Sequence, residues 1–252
     1  MSKQPLALLD AERQALQTST EADPLTREFS ADGSECRIVF TACAPEAVEE
    51  TIAAEKQRAQ KAGYTLEWKV YGHDSLPKLP ELLTQAGFEP DDRETVLALS
   101  VDQAMLPADE ALDIRQVTDA QGFNDYEEIA HPLGRRNAAQ ERQRLAAERE
   151  SHPGEISIHI AYVDGVPRAC GRLYLRAGGH VAELAGGRTH PDFRRKGLFT
   201  ALVASRVLEA SDQGRELVLV DALPTSEPIL TRLGFEPITW TMPFVFEPDE
   251  NA

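Results

Sequence analysis

Aromatic residues are scarce in this 252-residue chain, at 6%, and basic residues are outnumbered, 26 to 42, which leaves a formal charge of −16. A negative field of that size repels phosphate backbones and anionic lipid surfaces, so neither nucleic acid nor membrane is an expected partner. It also suits a solvated surface, and an anionic ligand needs a local basic exception. Cysteine is nearly absent: Cys36, Cys43 and Cys170 form no CxxC, so no metal site is expected. Cys36 and Cys43 fall seven apart in an apparent strand, on opposite faces and roughly 23 Å apart, too far to bridge. That is the pattern of a reducing compartment, and a cytoplasmic protein is expected. No apolar run reaches membrane-spanning length, and Met1–Asp10 lacks the charged and apolar regions of a signal peptide.

The remaining composition is that of a globular protein, with 42% apolar and 27% charged residues and enough chain for one large or two modest domains. Residues 1–34 are polar and punctuated. A strand over Cys36–Thr41 then leads to Pro45, which opens a helix ending before Gly63. A strand over Thr65–Tyr71, a helix over Pro80–Ala86 and a strand over Thr95–Val101 complete a first half, residues 1–105. Ala104–Glu110 reads as a linker. The second half, residues 110–252, starts with a strand over Leu112–Val117 and helices near Ala120–Ala130 and Arg136–Glu150. Strands follow over Ile156–Val163, Arg168–Leu175 and Val181–Thr189, then a helix over Leu198–Ser211. An apolar strand, Leu217–Val220, suits a sheet centre. A short helix over Ser226–Leu233 precedes closing strands through Trp240 and Phe246.

The chain repeats itself. Leu83-Thr84-Gln85-Ala86-Gly87-Phe88-Glu89-Pro90 returns as Leu230-Thr231-Arg232-Leu233-Gly234-Phe235-Glu236-Pro237, with six of eight positions identical. A shared helix-stop solution explains the glycine; the matching order of flanking elements points to duplication, although the first copy lacks room for the early elements of the second.

The basic exception is Arg194-Arg195-Lys196, directly before a helix that opens at Gly197. Free N–H groups and the helix dipole make such a turn a pyrophosphate cradle, and Gly197 admits a ligand close to the backbone. Gly186-Gly187 inside a strand marks a bulge or close approach, or else a twisted strand without ligand. A bulge would splay this strand from Leu217–Val220 and expose backbone groups to an extended amide-bearing arm.

Arg194–Phe199 resembles the acetyl-CoA motif [RQ]-x-x-G-x-[GA] of the GCN5-related N-acetyltransferases (GNAT). His190-Pro191-Asp192-Phe193 is similar to the lead-in of that motif, and Leu230–Phe235 to the closing helix and Gly-Phe. The resemblance covers about residues 110–246. It implies an α/β fold with a mixed, splayed central sheet flanked by helices, here with a partial tandem repeat. It also implies an acyltransferase that passes acetyl directly from acetyl-CoA to an amine of a small molecule or protein. Cofactor contacts then fall to Gly187, Arg188, Thr189, Arg194, Arg195, Lys196, Gly197, Leu198, Phe199 and Thr200. Ser226 is either a further contact or, with Thr225, a helix N-cap. Two positions depart from the family: Phe199 replaces glycine or alanine, and Leu230 stands where many members carry the tyrosine that protonates the leaving thiolate. The helix entry of the first half, Thr41–Glu46, has neither glycine nor cation, and Glu46, Glu49 and Glu50 would repel a pyrophosphate. That half is expected to be a degenerate relative, a pocket wall or a dimer contact.

An amine must lose a proton before it attacks a thioester. Glu183, eleven residues before Arg194, is the candidate catalytic base by likeness to some family members; the alternative is an exposed glutamate on the outer face of the strand. His190 is a second candidate or a turn residue. Asp125, Tyr126, Glu127 and Glu128 lie on the helices that shape the acceptor site, where they suit a cationic amine or form an ordinary acidic helix face. Two rival readings remain, a non-catalytic acyl-CoA-binding sensor or scaffold and a phosphate-binding domain unrelated to CoA.

Overall fold

The computed structural model describes residues 5–15, 23–106 and 112–248. These divide into two compact units: the first holds the described residues up to Val96, with Ala222–Pro224 and those from Pro237 on, and the second holds Leu97–Asp221 and Thr225–Glu236. The sequence break expected at Ala104–Glu110 falls partly on Pro107–Glu110, which lie outside the described residues.

The first unit runs α1 (Pro5–Ala15), β1 (Leu25–Phe29), β2 (Glu35–Thr41), α2 (Val48–Ala62), β3 (Thr65–Tyr71), α3 (Leu79–Gln85) and β4 (Glu89–Pro90). Then follow β5 (Glu94–Ser100), β6 (Asp113–Gln116), α4 (Ala120–Ala130), α5 (Ala138–Ser151), β7 (Ile156–Val163), β8 (Val166–Tyr174), β9 (Val181–Thr189), α6 (Leu198–Asp212), β10 (Leu217–Ala222) and α7 (Glu227–Arg232). The closing strand, β11 (Glu236–Phe246), joins the first unit from Pro237 on. The elements read from the sequence recur with small shifts of boundary. Three were not expected: α1 and β1, both inside the polar opening stretch, and the two-residue β4. Thr41 ends β2, so Cys43 lies beyond the strand that was to hold both cysteines; all three thiols are buried and free.

In the first unit, β1 and β2 are antiparallel, β2 and β3 parallel, and β11 runs antiparallel to β3 and β4. Its core gathers Ile38, Ile52, Leu66, Trp68, Leu79, Leu83, Phe88 and Phe244. In the second unit the strands lie in the order β5-β10-β9-β8-β7-β6, with β10 parallel to β9 and the rest of the run from β9 to β6 antiparallel. Helix α6 covers one face of β7–β9, and α4 and α5 cover the other. The α4–α5 face is filled by Phe123, Tyr126, Ile129, Leu145, Ile158 and Ile160, which fall at every second position of β7 as a half-covered strand requires.

The octapeptide repeat folds the same way twice. Leu83 and Leu230 are both buried, Gly87 (φ 87°) and Gly234 (φ 93°) both take the left-handed conformation, and the Phe88 and Phe235 amides donate back to the Leu83 and Leu230 carbonyls at 3.0 and 3.2 Å. This is a helix-ending turn that a side chain at the glycine would strain. The parallel strand pairs also agree: β2 and β3 pair only over Glu35–Ile38 and Thr65–Trp68, and β9 and β10 only over Val181–Leu184 and Leu217–Val220.

Candidate active site

Beyond Leu184 and Val220 the paired register of β9 and β10 stops, while β9 continues to Thr189 and β10 to Ala222. The two strands therefore part along Ala185–Thr189. On its other edge β9 keeps its partner but slips: Ala185 faces Arg172 and Arg188 faces Cys170, so Gly186 and Gly187 together oppose Gly171. Gly186 has φ 58°, and a Cβ there would come within 2.7 Å of Arg172 Nε. That position admits no other residue without displacing the guanidinium.

The slip is held from behind by a residue that the sequence reading passed over. Arg206 of α6 is wholly buried, and its guanidinium occupies the space that a side chain at Gly171 would need; a Cβ there would stand 2.5 Å from its Cζ. It donates to the carbonyls of Leu202 (2.9 Å), Arg172 (2.8 Å) and Ala185 (3.4 Å), satisfying acceptors around the slip. Burial lowers its pKa to about 10, so it stays charged at neutral pH. The signal in the sequence was a lone arginine within an otherwise apolar helix run.

The cationic turn leads into α6. The His190 ring accepts from the Asp192 amide at 3.2 Å and meets Phe193 edge-on, so His190 is a turn residue. The Phe193 ring lies 4.4 Å from the Arg168 guanidinium and 4.4 Å from Lys196 Nζ. Arg194, Arg195, Lys196 and Gly197 are all exposed. Arg195 sits at φ 61° and Gly197 at φ 81°. An L-residue in that region costs about 1–2 kcal/mol, strain of the kind that binding loops carry. No side chain caps α6. The Leu198, Phe199 and Thr200 amides, in its first turn, therefore have no helical acceptor, and the first helical bond runs from Ala201 to the Gly197 carbonyl at 3.0 Å. A Cβ on Gly197 would meet only Leu112 Cδ1, at 3.9 Å, so the surface beside it is open to a ligand. These amides, the helix dipole and three cations suit an anionic diphosphate.

Residues 121–235 match the family described as acetyltransferase (GNAT). The chain carries a GNAT domain. Among solved structures, the whole chain aligns with 99% of a GCN5-related N-acetyltransferase from Kribbella flavida at 19% identity and a TM-score of 0.72. A GCN5-related N-acetyltransferase from Sphaerobacter thermophilus aligns over 94% of this chain and 85% of its own at 12% identity and a TM-score of 0.60. A tandem GNAT protein from the clavulanic acid biosynthesis pathway aligns over 87% of this chain and 77% of its own at 15% identity and a TM-score of 0.61. At these identities the likeness is one of fold. No curated protein matches the chain.

Within the GNAT domain the expected site residues separate. Gly187, Thr189, Arg194, Arg195, Lys196, Gly197, Phe199 and Thr200 line the parted strand and the turn. The Leu198 side chain is buried against Ala161, Ala169 and Leu202, so only its amide can face a ligand. The Arg188 side chain is withdrawn as well. Its Nη2 bonds both oxygens of Glu141 at 2.6 and 2.8 Å, and its guanidinium lies over the Tyr126 ring, leaving main chain alone for a cofactor. The Phe199 ring packs on Gly187, where a Cβ would stand 3.0 Å from it, so the departure from the family at 199 is matched by the glycine beneath. Ser226 occupies the N-cap of α7 but its hydroxyl makes no capping bond. Leu230 is 1% exposed and serves the core. Glu183 is half-buried and pairs across the sheet with Tyr174, which packs against the α4–α5 core, so it shares that covered face.

Two of the acidic residues of α4 are engaged, and Glu128 is exposed. Asp125 accepts from Tyr162 at 2.6 Å and from Gln121 at 2.8 Å, and Glu127 from Arg142 at 2.6 Å. Tyr126 is buried, with its pKa raised by burial, and donates to Glu141 at 3.1 Å.

The first unit shows what closing the same kind of opening takes. Past Ile38 and Trp68, the Trp68 indole donates to Thr41 Oγ1 at 2.9 Å. Arg13 of α1 donates from Nε to the Val39 carbonyl at 2.7 Å and from Nη2 to Asp74 at 2.9 Å, with its guanidinium 3.9 Å over the Tyr71 ring. Its helix entry is a 3-10 turn, Pro45–Ala47, with no capping side chain and an acidic first turn.

Proposed function

We propose that the protein is an acetyl-CoA-dependent N-acetyltransferase that passes acetyl directly to an amine acceptor. The observation that carries this reading is the uncapped start of α6 behind the exposed Arg194–Gly197 turn, beside the strand edge freed at Ala185. Bound acetyl-CoA supplies an already activated thioester. The Leu198, Phe199 and Thr200 amides hold the diphosphate, Arg194, Arg195 and Lys196 neutralise it, and the freed edge of β9 offers main-chain groups to the pantetheine amides. Glu183 takes one proton from the incoming ammonium, directly or through water. A C–N bond then forms as the C–S bond breaks; the second amine proton passes to solvent, and the thiolate is reprotonated from solvent because Leu230 offers no acid. The first unit is read as a degenerate GNAT-like half with a structural or dimer-forming role, its opening stitched by Arg13 and Trp68. The three free thiols favour the cytoplasm, and no helix among the described residues is long and apolar enough to cross a membrane.

Leu230, buried where many family members carry the thiolate-protonating tyrosine, favours a second reading: a non-catalytic acyl-CoA-binding sensor or scaffold. A thiol-release screen across amines separates the two. The enzyme releases free CoA with at least one amine, and Glu183→Gln slows that release at least tenfold while CoA affinity holds. Saturable CoA binding without thiol release from any amine supports the sensor.

A further inference from the structure

On the α4–α5 face of the GNAT domain one buried carboxylate serves two guanidinium groups. Arg172 and Arg188 share one carboxylate, Glu141, at 3.2 Å and 2.6 Å respectively, and all three side chains are mostly buried, at 15%, 5% and 8% exposure. Burial alone would raise the Glu141 pKa, yet Arg188 and Arg172 hold it below the usual carboxylate range, so it is ionised and counts once against two cations. Arg206, behind the same strands, adds a third cation bonded to carbonyls. Three buried nitrogens, Arg172 Nε and Arg188 Nε and Nη1, have no hydrogen-bond partner. Buried donors left this way are costly, and an excess buried charge more so. Asp125 and Glu127 of α4 do not relieve it, since they are bonded to Tyr162 and Arg142, and Glu128 is exposed.

We propose that Arg172 and Arg188 receive a carboxylate of the acceptor, so that the amine acetylated belongs to an amino-acid-like molecule. This rests on the acetyltransferase reading above. Arg172 pairs across the sheet with Ala185, two residues beyond Glu183 on the same face of β9. Two residues of strand span about 7 Å, so a carboxylate at Arg172 and an amine at Glu183 are a few bonds apart. The exposed part of Arg172 provides the approach, and Arg188 behind it supplies field and donors. The transfer itself is unchanged: the C–N bond forms, the C–S bond breaks, and the carboxylate stays ionised throughout.

Matched acceptors test this directly. Thiol release is measured for amino acids against their primary amides, which keep the amine and lose the charge. The wild type should prefer the acids by on the order of a hundredfold in kcat/KM, the scale of a charge-assisted contact. Arg172→Gln should bring that ratio to within a few-fold without weakening CoA binding, and Arg172→Lys should retain most of it. Amides that match the acids in the wild type, or a ratio unmoved by Arg172→Gln, overturn the proposal. A second measurement does not depend on catalysis. Sodium formate titrated into ¹⁵N-labelled, CoA-bound protein should shift the Arg172 and Arg188 Nε–H resonances saturably, and a flat titration overturns the site. A saturable shift with no thiol release from any amine upholds the carboxylate site and sinks the acetyltransferase reading.

Discussion

Gly197→Ala separates fold from ligand binding at the cationic turn. In the free protein the new methyl meets nothing nearer than Leu112 Cδ1 at 3.9 Å, so its cost is the left-handed backbone at φ 81° alone. That cost is about 1–2 kcal/mol, which for a chain of this size lowers Tm by about 2–8 °C. In the proposed complex the same methyl stands where the diphosphate would approach the first turn of α6. Loss of two charge-assisted bonds at about 1.5–3 kcal/mol each weakens CoA by about two to four powers of ten. Gly214→Ala is the control. It lies past the other end of α6 at φ 72° with nothing within 4 Å, so it should share the stability loss and keep wild-type affinity. Calorimetric titration with CoA reads the affinity, and thermal melts with and without CoA read the linkage; at a hundred times Kd the wild type should gain about 2.7 kcal/mol. If Gly197→Ala binds CoA within twofold of the wild type, the diphosphate does not sit on this turn.

Three further outcomes follow from the packing. Glu141→Gln should destabilise the GNAT domain by about 3–5 kcal/mol at pH 7, because it strands two buried guanidinium groups. The folded pKa of Glu141 lies below its ordinary 4.5, so its contribution is complete above that value and fades as pH falls through the folded pKa; urea unfolding from pH 7 to 3 should show this acid loss in the wild type and not in the variant, and parallel profiles would refute it. Gly171→Ala should cost at least about 1–3 kcal/mol by driving a methyl into the Arg206 guanidinium, and a melt unchanged from the wild type would show that the guanidinium can move aside. Burial pushes the Cys36 and Cys170 thiols up to about 12, so iodoacetamide at pH 8 should leave both unmodified until denaturant is added; rapid labelling in the native protein would contradict their burial.

The parting of β9 from β10 was legible because two glycines interrupted an apolar strand, and the exposed cationic turn because three cations stood against an acidic background. Both signals are local. The groups that shape the other face are not: Glu141 and Arg188 are 47 positions apart and Arg172 and Arg206 are 34 apart, so no window links them. Arg188 accordingly read as a ligand contact, and Glu141 drew no notice within the helix expected near Arg136–Glu150. Helix α1 escaped notice for a related reason, since one of the residues that seats it is an arginine, Arg13, and a charged residue weakens the apolar periodicity by which a buried face is recognised.

Arg13 also bears on how the protein can be handled. Shortening the chain through residue 15, a common trimming in cloning, would take away the guanidinium that satisfies the Val39 carbonyl and balances Asp74 beneath Tyr71. The first unit would then be the fragile one, with a bare seam between β2 and β3, so residues 5–15 belong in any preparation meant for assay.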